Sequence, residues 1–238
     1  MFVKKESVIS SVHIQQDYTI FTWELFDSKN VDVLFVQDGL DYMELGQMET
    51  TLNRISKQVT FERGLFVVLI PPGDSIQRYH SYHPSGDHHQ EYISFFLEEL
   101  LPSVRLDLHL KGMCIHKIGL LGDSLGGSVS LSLICKEPAQ FTHVLMQSAA
   151  LSEENFTQLQ SVKCLEDVRI YQAVGRHEDE FISPISNQQL YILTTNRKMR
   201  IRLEDKGAMV TYYEEDEHHL WDFWRRDLLR TLNYFLQN

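Results

Sequence analysis

The chain has 238 residues, 43% of them hydrophobic and 23% charged, with a formal net charge of −11. That length and balance suit one globular core and exclude a disordered or fibrous chain. The acidic surplus argues against a nucleic-acid surface, which needs a basic field, and no apolar run approaches the roughly 20 residues of a membrane-spanning helix.

The first ten residues, MFVKKESVIS, lack the apolar centre of a signal peptide, so a cytoplasmic location is expected. The next signal is alternation. ESVISSVHI places Val8, Val12 and Ile14 on one face, and YTIFTWEL is β-branched and aromatic, which predicts two N-terminal strands forming a hairpin. Then the texture changes to unbroken apolar runs: VDVLFVQ, GLFVVLIPP, MCIHKIGLL, THVLMQ, VRIYQAVG and AMVTYY. Such runs suit strands buried on both faces of a parallel sheet.

Amphipathic stretches lie between them. EYISFFLEELLPSV sets Tyr92, Phe95, Phe96, Leu100 and Leu101 near helical spacing, and HLWDFWRRDLLRTLNYFL puts Leu220, Phe223, Trp224, Leu228, Leu232 and Phe235 on one face. Strand and helix in alternation predict an α/β fold with a mainly parallel sheet, helices on both faces and a single domain over residues 1–238. The basic residues Arg197, Lys198, Arg200 and Arg202 are followed by Glu204 and Asp205, which reads as a solvated helix face. Cys114, Cys135 and Cys164 are odd in number and unrelated in spacing, so they read as reduced thiols with no disulfide or zinc role.

The segment SYHPSGDHHQ, between the LIPP strand and the next helix, is the most loop-like in the chain. His80, His83, His88 and His89 crowd it without a neighbouring cysteine and at irregular spacing, which favours a surface loop over a metal site. No metal and no cofactor are expected.

Chemistry concentrates in Gly122-Asp123-Ser124-Leu125-Gly126. A G-x-S-x-G pattern alone is weak, but this one leaves the buried run MCIHKIGLL and enters the helix-like LGGSVSLSLICKE, the strand–turn–helix setting of a nucleophile elbow. A serine hydroxyl becomes a useful nucleophile only when a base takes its proton, so it must project from a tight turn toward a histidine. The Leu125 N–H, at a helix start, would face a developing oxyanion. The loop after VDVLFV offers the Leu40 N–H as a second donor.

On such a fold the partners follow in the order Ser, acid, His. The strand VRIYQAVG runs into Gly175-Arg176-His177-Glu178-Asp179, and either Glu178 or Asp179 occupies the acid position. Between AMVTYYEED and the last helix, His218 and His219 both offer a general base.

Taken together, FVQDGLDY, LIPPGDSIQRYHSYHP, FFLEELLPSV, GDSLGG, VGRHEDEF and HHLWDFW resemble the putative esterase family of α/β-hydrolases, which includes esterase D and enterochelin esterases. The resemblance spans nearly the whole chain and is most specific at GDSLGG and at His219-x-Trp221-x-x-Trp224. It implies an α/β-hydrolase fold and a serine esterase with Ser124 as nucleophile, His219 as base and Glu178 as acid, Asp179 being the alternative. The short connection between THVLMQSAA and VRIYQAVG leaves no room for a large cap domain. An open site is therefore expected, walled by the histidine-rich loop and by segments near Phe181 and Trp221, and suited to small acyl groups. The substrate would be a small-molecule ester or thioester. A thioesterase or acyltransferase would use the same parts, and a non-catalytic binding protein is the rival from another class. Oligomeric state is not readable from these patterns.

Overall fold

The computed structural model describes residues 2–26, 28–58 and 62–238. The unbroken apolar runs become the parallel part of an eight-stranded sheet: β3 (Asn30–Gln37), β4 (Gly64–Ile70), β5 (Cys114–Asp123), β6 (His143–Gln147), β7 (Arg169–Gly175) and β8 (Met209–Glu215). The N-terminal hairpin, β1 (Val3–Ser11) and β2 (Gln16–Leu25), joins antiparallel to β4, so the strand order is β1-β2-β4-β3-β5-β6-β7-β8. An α/β-hydrolase-type sheet results, without a large cap: only α7 (Glu153–Ser161) lies between β6 and β7.

Alternation within each central strand builds two cores. From β3, Val31, Val33 and Phe35 enter one and Leu34 and Val36 the other; from β4, Phe66, Val68 and Ile70 oppose Leu65, Val67 and Leu69. The first core lies under α6 (Ser124–Lys136) and the long helical segment of α4 (His89–Ser94) and α5 (Leu101–Leu110), which supply Phe96, Leu108 and Leu133. The second is covered by α2 (Met48–Gln58) and α9 (Trp221–Gln237), through Met48, Leu52, Leu228 and Phe235. A β-carbon on Gly119 of β5 would fall 2.6 Å from the Phe235 ring, so glycine lets α9 lie close to the sheet. Between α4 and α5 the helix widens into a π turn over Phe95–Leu100, just before Pro102, which has no N–H to give back along the helix.

Three expectations need correction. Val8 and Val12 are exposed at 59% and 82%, because β1 is the outer edge of the sheet and little covers it; the strand ends at Ser11, before Ile14. Leu220 is exposed as well, since it precedes α9 as its N-cap rather than lying on its buried face. The polar stretch after β4 is not one long loop. Asp74 caps α3 (Ser75–Tyr82), accepting from the N–H groups of Ile76 and Gln77, while the Gln77 side chain returns to the Asp74 N–H. His80 therefore sits on a helix, and His89 starts α4 with its ring buried and Nδ1 3.1 Å from the Ser81 carbonyl oxygen. Among the described residues no group of three or more His, Cys, Asp or Glu is arranged to hold a metal ion, and no helix is long and apolar enough to cross a membrane.

Candidate active site

The site forms where the parallel strands end. β5 delivers Asp123, and α6 starts at once on Ser124, whose φ of 47° lies in the left-handed region that serine rarely occupies. Strain of this kind persists only where the surroundings enforce it. Here the strand and helix backbones nearly touch: a β-carbon on Gly122 would sit 2.3 Å from the Gly126 carbonyl carbon. That contact is the physical reason for the flanking glycines.

β7 ends at Gly175, and a short 3₁₀ turn over Glu178–Glu180 follows. A β-carbon on Gly175 would meet the Glu217 carbonyl oxygen at 2.3 Å, so glycine also lets the turn after β7 and the loop after β8 come together. The result brings three residues from distant parts of the chain into line. His219 Nε2 lies 2.9 Å from Ser124 Oγ, and His219 Nδ1 lies 2.9 Å from Glu178 Oε2. Glu178 is fully buried, and His219 is 8% exposed. The imidazole is held between Phe181, with ring centres 4.3 Å apart, and Trp224, at 4.9 Å and edge-on.

The neighbouring candidates are elsewhere. Asp179 accepts hydrogen bonds from the N–H and the hydroxyl of Thr194, at 2.9 and 2.6 Å, and so caps the first turn of α8 (Ile192–Asp205). His218 stacks on His177, with ring centres 4.7 Å apart. Leu125 lines the cavity beside Ser124; Leu40, 37% exposed on α1 (Gly39–Glu44), does not, and Asp41 of the same helix does.

A cluster that the sequence did not suggest braces the elbow, and its Arg78 and Asp123 line the same cavity as Ser124. Arg78 of α3 makes a bidentate pair with Asp38, at 2.7 and 2.6 Å, and reaches the Asp123 carbonyl at 3.3 Å. Burial works against the Arg78 charge, yet the paired Asp38 carboxylate holds its pKa above the ordinary value. Burial, reinforced by the nearby Asp38 charge and opposed by Arg78, pushes the Asp123 carboxyl well above its ordinary value. Among the described residues its Oδ1 has no hydrogen-bond partner, while Arg78 Nη2 lies 3.6 Å from its Oδ2.

Ser124 opens into a cavity of about 720 Å³. Tyr79 and His83 form one wall, the segment from Phe181 to Ile192 another, and Trp221 closes a third side. Ile185, Tyr191 and Leu220 leave an apolar rim exposed at 41%, 57% and 59%. A second concavity, about 700 Å³ between β8 and α9, holds Arg226 and Arg230, which pair with Glu217, Glu215 and Asp227.

The family described as Putative esterase matches residues 11–235. The chain belongs to this family. Among curated proteins it is similar to the uncharacterized protein YjcH of Bacillus subtilis, 28% identical over 200 residues that cover 81% of this chain and 79% of that protein. Among solved structures it is similar to the enterobactin esterase FES of Shigella flexneri, with a TM-score of 0.79 and 18% identity, over 99% of this chain. The chain spans 59% of the length of that structure. Siderophore hydrolase EstA of Aspergillus nidulans aligns with a TM-score of 0.73 and 16% identity, over 98% of this chain and 94% of its own. These two likenesses concern the fold.

Proposed function

We propose that this esterase is a serine hydrolase that cleaves small-molecule carboxylic esters through an acyl-enzyme on Ser124. The observation that carries the reading is the unbroken hydrogen-bonded line Ser124–His219–Glu178, at 2.9 Å for each step, inside a large cavity. In this mechanism His219 Nε2 takes the Ser124 proton as Oγ attacks the ester carbonyl, and then delivers that proton to the departing alkoxide. Glu178 receives the Nδ1–H, fixes the tautomer and stabilises the imidazolium. The N–H of Leu125 stabilises the oxyanion, because early helical N–H groups have no intrahelical acceptor. Water activated by His219 then releases the acid.

A small acyl group would sit against Ser124, with the alcohol part extending to the apolar rim of Ile185, Tyr191 and Leu220. We place the protein in the cytoplasm on the strength of its free thiols, Cys114 and Cys164 being exposed. The reading is tested with a fluorophosphonate probe and with p-nitrophenyl acetate and butyrate. Labelling and turnover are expected in the wild type and absent in Ser124→Ala and His219→Ala; labelling that persists in Ser124→Ala would overturn the assignment.

A further inference from the structure

We propose that Ser148 and Trp224 form a directional hydrogen-bond relay that positions Glu178 toward His219. The proposal rests on the reading of Ser124, His219 and Glu178 given above and adds two positioning residues to it.

Glu178 uses its two carboxylate oxygens differently. Oε2 faces His219, whereas Oε1 accepts from the Ser148 hydroxyl at 2.7 Å and from the Gly175 N–H at 2.8 Å. Held by His219 alone, the carboxylate could rock about a terminal torsion that is intrinsically broad. Two donors on the far oxygen fix its plane.

The direction of the Ser148 proton follows from elementary donor and acceptor rules. A hydroxyl can donate or accept, but an indole N–H only donates. Trp224 Nε1 lies 2.8 Å from Ser148 Oγ, so Oγ accepts from the indole and its single proton is left for Glu178. Trp224 is itself anchored: its carbonyl oxygen accepts from Gln147 Nε2 at 3.0 Å, and the same Nε2 reaches Asp227 Oδ2 at 2.8 Å. Since the Trp224 ring also meets the His219 ring edge-on, one side chain orients both members of the acid–base pair.

The backbone supplies an independent argument. Ser148 is fully buried at the end of β6 with φ 50°, and its N–H donates to the Ala173 carbonyl at 2.7 Å. Glycine would adopt that φ without steric cost. What serine adds there is the hydroxyl that Glu178 uses. Ser148 does not line the cavity, so its effect on substrate must pass through Glu178.

The test compares wild type, Ser148→Gly and Trp224→Phe. Glycine suits position 148 because it removes the hydroxyl and keeps φ 50° accessible. The readouts are fluorophosphonate labelling, kcat and KM for p-nitrophenyl butyrate, far-UV circular dichroism, and the far-downfield proton resonance of the His219 Nδ1–H. Ser148→Gly is expected to stay folded and to lose about 10- to 100-fold in kcat, the worth of one hydrogen bond to a buried charge. Its KM should stay within about twofold, because the loss falls on the transition state. The Nδ1–H resonance should shift. Trp224→Phe, which frees the Ser148 hydroxyl but keeps it, should show the same shift with a smaller loss, roughly three- to tenfold. Should Ser148→Gly fail to fold, Ser148→Ala, which also removes the hydroxyl, decides through the same kcat and resonance readouts. A folded Ser148→Gly with wild-type kcat and an unmoved resonance would overturn the relay while leaving the hydrolase reading intact. Absence of labelling and turnover in the wild type would overturn the hydrolase reading, and the relay with it.

Discussion

At the carboxyl ends of β3, β5 and β6 the chain turns through Asp38, Ser124 and Ser148 with φ of 57°, 47° and 50°, whereas near the amino ends of β3 and β5 the buried Asp32 gathers basic side chains. Arg63 donates to Asp32 at 3.1 Å, His116 lies at 3.2 Å and Lys117 at 3.5 Å. One end holds three non-glycine residues in a conformation that costs each of them free energy, with the Arg78–Asp38 pair beside them; the other gathers basic side chains around the buried Asp32, Lys117 being buried with it. Backbone strain of this kind gathers where side chains must be aimed, while a buried ion cluster is costly chiefly when it is broken. Geometry is defended at one end of the sheet and cohesion at the other.

The sharpest way to break this contrast is Ser124→Ala, expected to lower ester turnover by at least about 10⁴-fold with little loss of stability. Adding Ser124→Gly isolates the strain: it should be as inactive, yet more stable than the alanine variant by about 1 kcal/mol in denaturant unfolding, because glycine accepts the left-handed turn. Equal stability of the two variants would remove strain from the account.

At the other end, Asp32→Ala should cost about 3–5 kcal/mol by leaving Lys117 and Arg63 without their carboxylate. The molecules that remain folded should still label with fluorophosphonate at the wild-type rate. A selective loss of labelling would mean that the two ends are not separable.

A pH effect belongs to the same end. Burial, aided by the charges of Lys117, Arg169 and His116, pushes the pKa of His143 down from 6.5 to about 3. Between those values the unfolded chain binds a proton that the folded chain refuses, so stability rises with pH across that window and is lost as acid is added from pH 6.5 toward 3. His143→Gln should flatten that part of the stability profile measured by urea unfolding; a profile with unchanged slope would count against a neutral buried imidazole.

The smallest effect should separate two adjacent acids. Asp179→Ala removes a cap from α8 and should cost about 1 kcal/mol, with kcat close to wild type. Glu178→Gln should leave stability nearer to wild type and remove most of the activity. The reverse pattern would exchange their roles.

Much of this arrangement could be read from the chain because it is local. The apolar runs that became β3 to β8 carry their own signal, and Gly122 and Gly126 mark the sharp turn at Ser124 within one short window. The order of serine, acid and histidine follows from the strand order. What could not be read depends on contacts across the fold. Glu178 and Asp179 are neighbours of the same charge, and only the rotation of one short turn sends the first to His219 and the second to Thr194. Arg78 and Ser148 had no local mark, since the residues they serve, Asp38 and Glu178, lie 40 and 30 positions away. The helix after β4 was hidden by its polar composition, although Asp74 and Gln77 carried the capping signature that would have revealed it. The edge position of β1 was hidden too, because alternation reports a strand without saying whether anything covers it.

Ser124, His219 and Glu178 are separated in sequence by 95 and 41 positions, and their strands are laid down in the sheet in chain order. During synthesis the proposed nucleophile would therefore leave the ribosome long before its proposed base, and the amino-terminal strands can pair before the two meet. In the proposed mechanism competence arrives only once the loop carrying His219 and the helix after it have docked, so the onset of ester turnover can time that step.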